Sequence, residues 1–218
     1  MLVEMIDRKI AEHDLLKTPF YQAWTAGTLS REDLAQYAAQ YYQHVEAFPG
    51  YLQALAARAD ATLRPLVEEN LGEELDPIAP HPKLWREFAG AVGADSKALD
   101  EAEPLPAIRG LIEIYRELCA HSSPAEAVAA LYAYEAQVPE IATQKMVGLR
   151  RHYGISDTAA LRYFAVHEEA DVRHRTAWRE WLAAQPCEDA EKIASASERA
   201  LLALWNALDS LYTRPRAN

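Results

Sequence analysis

The octapeptide His167-Glu-Glu-Ala-Asp-Val-Arg-His174 carries two imidazoles and three carboxylates, side chains that either ligate a metal or present a charged helix face to water. An α-helix advances about 100° per residue, so from His167 at zero Asp171 falls at about 40° and His174 at about −20°. Phe164, at about 60°, and Trp178, at about 20°, share that arc. Three ionisable groups thus lie on an apolar face, while Glu169 and Arg173 point the opposite way, towards water.

The same construction finds acids on other apolar stripes. Glu135 lies in line with Val128, Leu131, Val138 and Ala142, and Glu74 with Leu63, Val67 and Leu71. His81 is in register with Leu84, Trp85 and Phe88. A buried, unpaired carboxylate costs several kcal/mol, so a group of them in one small protein needs partners or cations. Two divalent cations would neutralise Glu74, Glu135 and Asp171 and leave a small positive excess for hydroxide, water or dioxygen. Mixed carboxylate and imidazole donors suit iron or manganese better than calcium or structural zinc, and helix bundles build such sites from inward-facing side chains. Taken singly, each residue also has an ordinary reading, as a hydrogen-bonded core histidine or an arginine-capped glutamate. Spacing alone does not separate the two.

The elements that must position these residues read as helices throughout. Apolar residues recur at helical spacing and alternating β-branched runs are absent, which makes the chain all-α. Helices are expected at about 2–16, 30–47, 50–61, 63–75, 82–92, 106–120, 124–152, 156–184 and 188–212. Ser30-Arg-Glu-Asp33 and Ser123-Pro-Ala-Glu126 look like capping boxes. Gly90, Gly93 and Gly154 fall where helices could end, and Pro139 should bend the helix it interrupts. No linker divides the 218 residues, so a single helical domain over 1–218 is expected.

A net charge of −11 argues against non-specific nucleic-acid binding. The two cysteines, Cys119 and Cys187, are too few for a disulfide framework, and a cytoplasmic location is the default. The amphipathic, acid-bearing amino terminus resembles neither a signal nor a transit peptide, and no apolar run approaches a membrane span.

Six strings then carry a resemblance: Phe20-Tyr21-Gln-Ala-Trp24, Tyr41-Tyr42-Gln-His44 running on to Tyr51, Asn70-Leu-Gly-Glu-Glu74, His81-Pro-Lys-Leu-Trp85, Leu131-Tyr-Ala-Tyr-Glu135-Ala-Gln-Val-Pro139, and the opening octapeptide. In this order they resemble the family of the Chlamydia protein associating with death domains, within the haem-oxygenase-like dimetal oxidases. The resemblance implies a bundle with a seven-helix core and two metal ions, Fe/Fe or Fe/Mn, on Glu74, His81, Glu135, His167, Asp171 and His174. It also implies formation of 4-aminobenzoate for folate, with dioxygen and an electron donor, from the protein's own side chains. Tyr21 would supply the ring and Lys145 the nitrogen, in a single turnover. Bundles of this kind often form homodimers. Alternatives are a multiple-turnover oxidase of an external small molecule and a protein-interaction module.

On the helix wheel Lys145 lies about −80° from Glu135, flanking the ligand stripe rather than opposite it, though without the resemblance it reads as an ordinary surface lysine. Tyr21 reads as a packing aromatic at the start of a connection, its hydroxyl at the surface. Tyr37, Tyr41, Tyr42, Tyr134 and Tyr163 are further phenols that could approach the metals. Arg173 and Arg175 are expected to pair with Glu168 or Glu169.

Overall fold

The computed structural model describes residues 2–186 and 188–212, so Cys187 lies outside the described residues. Among these, all regular structure is helical: α1 (Leu2–Glu12), a 3-10 turn (Leu15–Lys17), α2 (Pro19–Ala26), α3 (Arg31–Ala56), α4 (Arg64–Glu74), α5 (His81–Val92), α6 (Ser96–Asp100), α7 (Pro106–His121), α8 (Pro124–Glu135), α9 (Val138–Tyr153), α10 (Thr158–Ala183) and α11 (Ala190–Tyr212). The all-α expectation holds. Both capping boxes form, at Ser30 and Ser123, and each satisfies a serine backbone N–H as well as the amide three residues on. Gly93 and Gly154 end α5 and α9 with φ of 98° and 67°, a conformation that favours glycine. Gly90 lies inside α5 instead.

α8 is the innermost helix. Its Ala127–Ala133 run is buried on every side, because α11, α10 and α7 pack around it. α3 packs against α7, α5 and α4, and α10 against α9, α5 and α8, so α10 passes between the elements that carry the other candidate ligands.

The structure differs from the sequence reading at both prolines. α3 runs unbroken through Pro49, where separate helices at 30–47 and 50–61 are expected. Proline costs one backbone hydrogen bond there, but burial of Phe48, Tyr51, Leu52 and Leu55 on the same helix outweighs it. At Pro139 the expected long helix is interrupted: α8 stops at Glu135, Gln137 takes φ −100°, and α9 restarts with Pro139 in its first turn. The Gln137 side chain stabilises the break by donating to the Ala133 carbonyl at 3.1 Å and accepting from the Leu15 amide at 2.8 Å.

α2 is also new relative to the sequence reading. Thr18 caps it, its hydroxyl accepting from the Tyr21 amide at 3.3 Å, with Pro19 in the first turn. α2 lies across α9 at close range: a Cβ added to Gly148 would sit 2.6 Å from Nε1 of the buried Trp24. Trp24 in turn donates to the Lys145 carbonyl at 3.3 Å. Gly148→Ala should therefore lower stability by about 1–3 kcal/mol despite its better helix propensity, because Trp24 has no room to retreat. A lower urea midpoint would register this; an unchanged midpoint would contradict the close packing.

Candidate metal centre

The six residues expected as ligands come together in two triplets. Ligand atoms of Glu74, His81 and His167 all lie within 4.8 Å of one another, as do those of Glu135, Asp171 and His174. His81 Nδ1 is 2.9 Å and His167 Nε2 3.9 Å from Glu74 Oε1. In the second triplet, His174 Nδ1 is 3.2 Å from Asp171 Oδ1 and 3.8 Å from Glu135 Oε2. All six side chains are buried.

Local structure explains the placement. His167, Asp171 and His174 share the inner face of α10, whereas Glu74 and Glu135 are the last residues of α4 and α8 and His81 is the first of α5. A carboxylate at a helix C-terminus meets the negative end of the helix dipole, which adds to the demand for a cation. The donors are also oriented from behind. The Tyr163 carbonyl lies 2.7 Å from His167 Nδ1, which leaves Nε2 as the nitrogen free to ligate. Asn70 and the Trp178 indole donate to Glu135 at 3.0 and 2.6 Å.

Two buried polar atoms of the set, Asp171 Oδ2 and His174 Nε2, have no hydrogen-bond partner, and His81 Nδ1 has only the Glu74 carboxylate oxygen 2.9 Å away, outside hydrogen-bond geometry. Such orphans each cost roughly 1–3 kcal/mol, and their convergence with carboxylates fits a metal cofactor. The electrostatics agree. Burial, with the Asp171 charge adding, pushes Glu135 up to about 8. Burial and then Glu74 hold Asp171 well above the usual carboxylate range. His167 is driven well below its usual value by burial and the nearby His81. Burial pulls His81 down, but the Glu74 carboxylate outweighs it and leaves His81 raised.

Without metal these shifts favour protonated carboxyls at Glu135 and Asp171. Loading two divalent ions at pH 7 should release about one to two protons per chain, readable with a pH indicator in weakly buffered solution. Release of none would contradict the protonated state. The same shift sets a stability trend. Glu135 ionises at about 8 when folded against 4.5 unfolded, so the folded state binds the extra proton between those values. Metal-free stability should fall as pH rises from about 5 to 8, and metal loading should remove that fall.

A second cavity adjoins the first. The ligand cavity is lined by His44, Tyr134, Tyr163 and His167 among others, and its neighbour by Tyr21, Tyr41, Trp85, Lys145 and Phe164 together with the same Tyr134, Tyr163 and His167. Their free spaces are about 10 and 20 Å³, enough for a water or dioxygen and no more. Contrary to the surface reading, Lys145 is only 5% exposed, and Tyr21 only 4%. The Lys145 amine sits among five rings, with centroids at 4.8 Å (Tyr37), 5.2 Å (Phe164), 5.3 Å (Tyr21), 5.7 Å (Tyr41) and 5.7 Å (Trp85). It donates to the Tyr37 hydroxyl. The rings favour an ammonium by about 0.5–2 kcal/mol, but burial dominates and lowers the amine to about 7.

Other expectations need correction. Tyr42 turns away from the centre to Glu46 and Arg86. Arg173 pairs with Glu73 at 2.6 Å, and Arg175 with Glu140 and the Ala136 carbonyl, because α10 presents them to α4 and to the α8–α9 break. Glu168 accepts from Thr143 instead. Asn70, Trp178 and Glu73 support the ligands without having been singled out from sequence; Asn70 precedes Glu74 by one helical turn, a usable signal.

The fold has close structural relatives. A Shewanella denitrificans domain of unknown function with a heme oxygenase-like fold superposes with a TM-score of 0.83 over 97% of this chain and 92% of that one, at 17% identity. The chain thus has a haem-oxygenase-like fold around two buried groups of side chains that could hold metal ions. The family model described as iron-containing redox enzyme matches residues 35–206, and the chain belongs to that family. It is 38% identical to the 4-aminobenzoate synthase of Nitrosomonas europaea, over 99% of this chain and 92% of that protein. Against the 4-aminobenzoate synthase of Chlamydia trachomatis the identity is 36%, over 95% and 90%. Among the described residues, no helix is long and apolar enough to cross a membrane.

Proposed function

We propose that this chain is a 4-aminobenzoate synthase that consumes its own side chains, with Tyr21 the source of the ring and Lys145 of the amino nitrogen. The six ligands are Glu74, His81, Glu135, His167, Asp171 and His174, and they hold Fe/Fe or Fe/Mn. Bound and reduced, the two ions, with dioxygen and an electron donor, supply the oxidising power for the reaction.

The observation that carries this reading is the Lys145 amine 5.3 Å from the centre of the Tyr21 ring, in a chamber too small for a benzoate-sized guest. A substrate built into the wall needs no larger space. The chain's residues divide the remaining work. Burial keeps a large share of Lys145 as the neutral amine that can act as a nucleophile. Tyr37, bonded to Lys145, fixes the position of the amine beside the Tyr21 ring. Trp85 and Phe164 exclude water from the amine.

Protein made with ¹³C-tyrosine and ¹⁵N-lysine should release doubly labelled 4-aminobenzoate, at no more than about one molecule per chain. Unlabelled product, or product well beyond one per chain, would sink the reading and favour an external substrate.

A further inference from the structure

Every candidate ligand is at most 7% exposed, so an ion must cross protein to reach the centre. An open surface cleft of about 320 Å³ lies beside it, lined by Glu73, Asp76, Arg162, Glu169 and Arg173, with His81 in its wall. His81 belongs both to this cleft and to the first triplet. Glu73 joins the cleft to the second triplet: its Oε1 accepts from Arg173 Nη2 at 2.6 Å, and its Oε2 lies 3.5 Å from Nε2 of His174. That His174 nitrogen is buried and without a hydrogen-bond partner. One carboxylate therefore reaches from a surface arginine to a ligand of the centre.

We propose that this cleft is the uptake route for divalent cations, with Glu73 as the carboxylate that relays them and Arg173 as the group that closes the route. This rests on the metal-centre reading above. Hard dications favour carboxylate oxygens, and Glu73, Asp76 and Glu169 outnumber the two arginines in the cleft. The Arg173 side chain is 56% exposed and that of Glu73 30%, so their pair is weak and yields to an arriving dication. Glu73 then exchanges a guanidinium for the ion. His81, in the cleft wall, offers the first triplet a ligand, while His174 Nε2 lies 3.5 Å from Glu73 for the second.

Stopped-flow mixing of the metal-free, full-length protein with Co(II) alone, followed by the visible absorption of the bound ion, tests the proposal. Glu73→Gln should slow uptake tenfold or more and Arg173→Gln should speed it several-fold, each variant still binding two ions at equilibrium. Glu140→Gln, the same charge change on a surface acid outside the cleft, should leave the rate unchanged. Uptake by Glu73→Gln at the wild-type rate overturns the proposal, as does equal slowing by Glu140→Gln, which would make the effect one of net charge. Wild-type protein that binds no Co(II) at equilibrium instead removes the metal centre itself, and the route with it.

Discussion

Lys145→Met is expected to end 4-aminobenzoate formation and, at the same time, to stabilise the metal-free protein. Loss of product follows from loss of the nitrogen that the product is proposed to carry. The gain in stability follows from burial. Lys145 ionises near 7 in the folded chain against 10.5 when unfolded, so at pH 7.5 the unfolded chain holds a proton that the folded one has largely given up. At pH 7.5, three units below the unfolded value, this corresponds to at most ~4 kcal/mol in favour of unfolding. Methionine fills similar space without that penalty; it also forfeits the bond to Tyr37 and the ring contacts, so a net gain of about 1–3 kcal/mol is expected. The sign can be checked by pH. Wild-type stability from this group rises between pH 7 and 10.5, and the advantage of Lys145→Met should shrink over the same window. Urea unfolding at pH 7.5 and 10, with a product assay, measures both halves. A variant that is less stable at pH 7.5 would show that Lys145 is held as a well-paired ammonium.

Asp171→Asn is expected to lower bound metal from about two ions per chain to about one, and to abolish product. Asparagine keeps the shape but removes the charge and one acceptor oxygen from the triplet with Glu135 and His174. Glu74, His81 and His167 remain intact, so the first ion should stay. Without metal the variant should be at least as stable as wild type near pH 8, because a carboxyl pushed far up by burial has been replaced by a neutral amide. Anaerobic iron loading followed by elemental analysis counts the ions. Two ions retained by the variant would remove Asp171 from the ligand set.

The contrast between Asp171 and Lys145 shows what was readable from sequence. Asp171 lies on an unbroken helix whose apolar stripe is unambiguous, so its burial follows from periodicity within α10. Glu74, Glu135 and His81 were legible for the same reason, although each lies at a helix end. Burial of Lys145 depends on a neighbouring element. It is sealed where α2 crosses α9, and α2 has only eight residues. Thr18 and Pro19 signal its start, but so short a helix has little periodicity to read. The helix breaks were harder still. Pro49 and Pro139 are the same residue type with opposite outcomes, decided by what packs around each: a buried apolar run carries α3 through, while the Gln137 side chain satisfies the backbone at the α8–α9 break. Glu73 does not stand out in the sequence, because its contacts come from α10 presenting Arg173 and His174 to it together.

The most direct test of self-consumption is peptide mass mapping of the protein before and after one exposure to iron, manganese, dioxygen and reductant. The peptides containing Tyr21 and Lys145 should both change mass, Tyr21 by loss of its ring and Lys145 by loss of its amine, in proportion to the 4-aminobenzoate released. Release of product from chains in which both peptides keep their original masses would contradict the account.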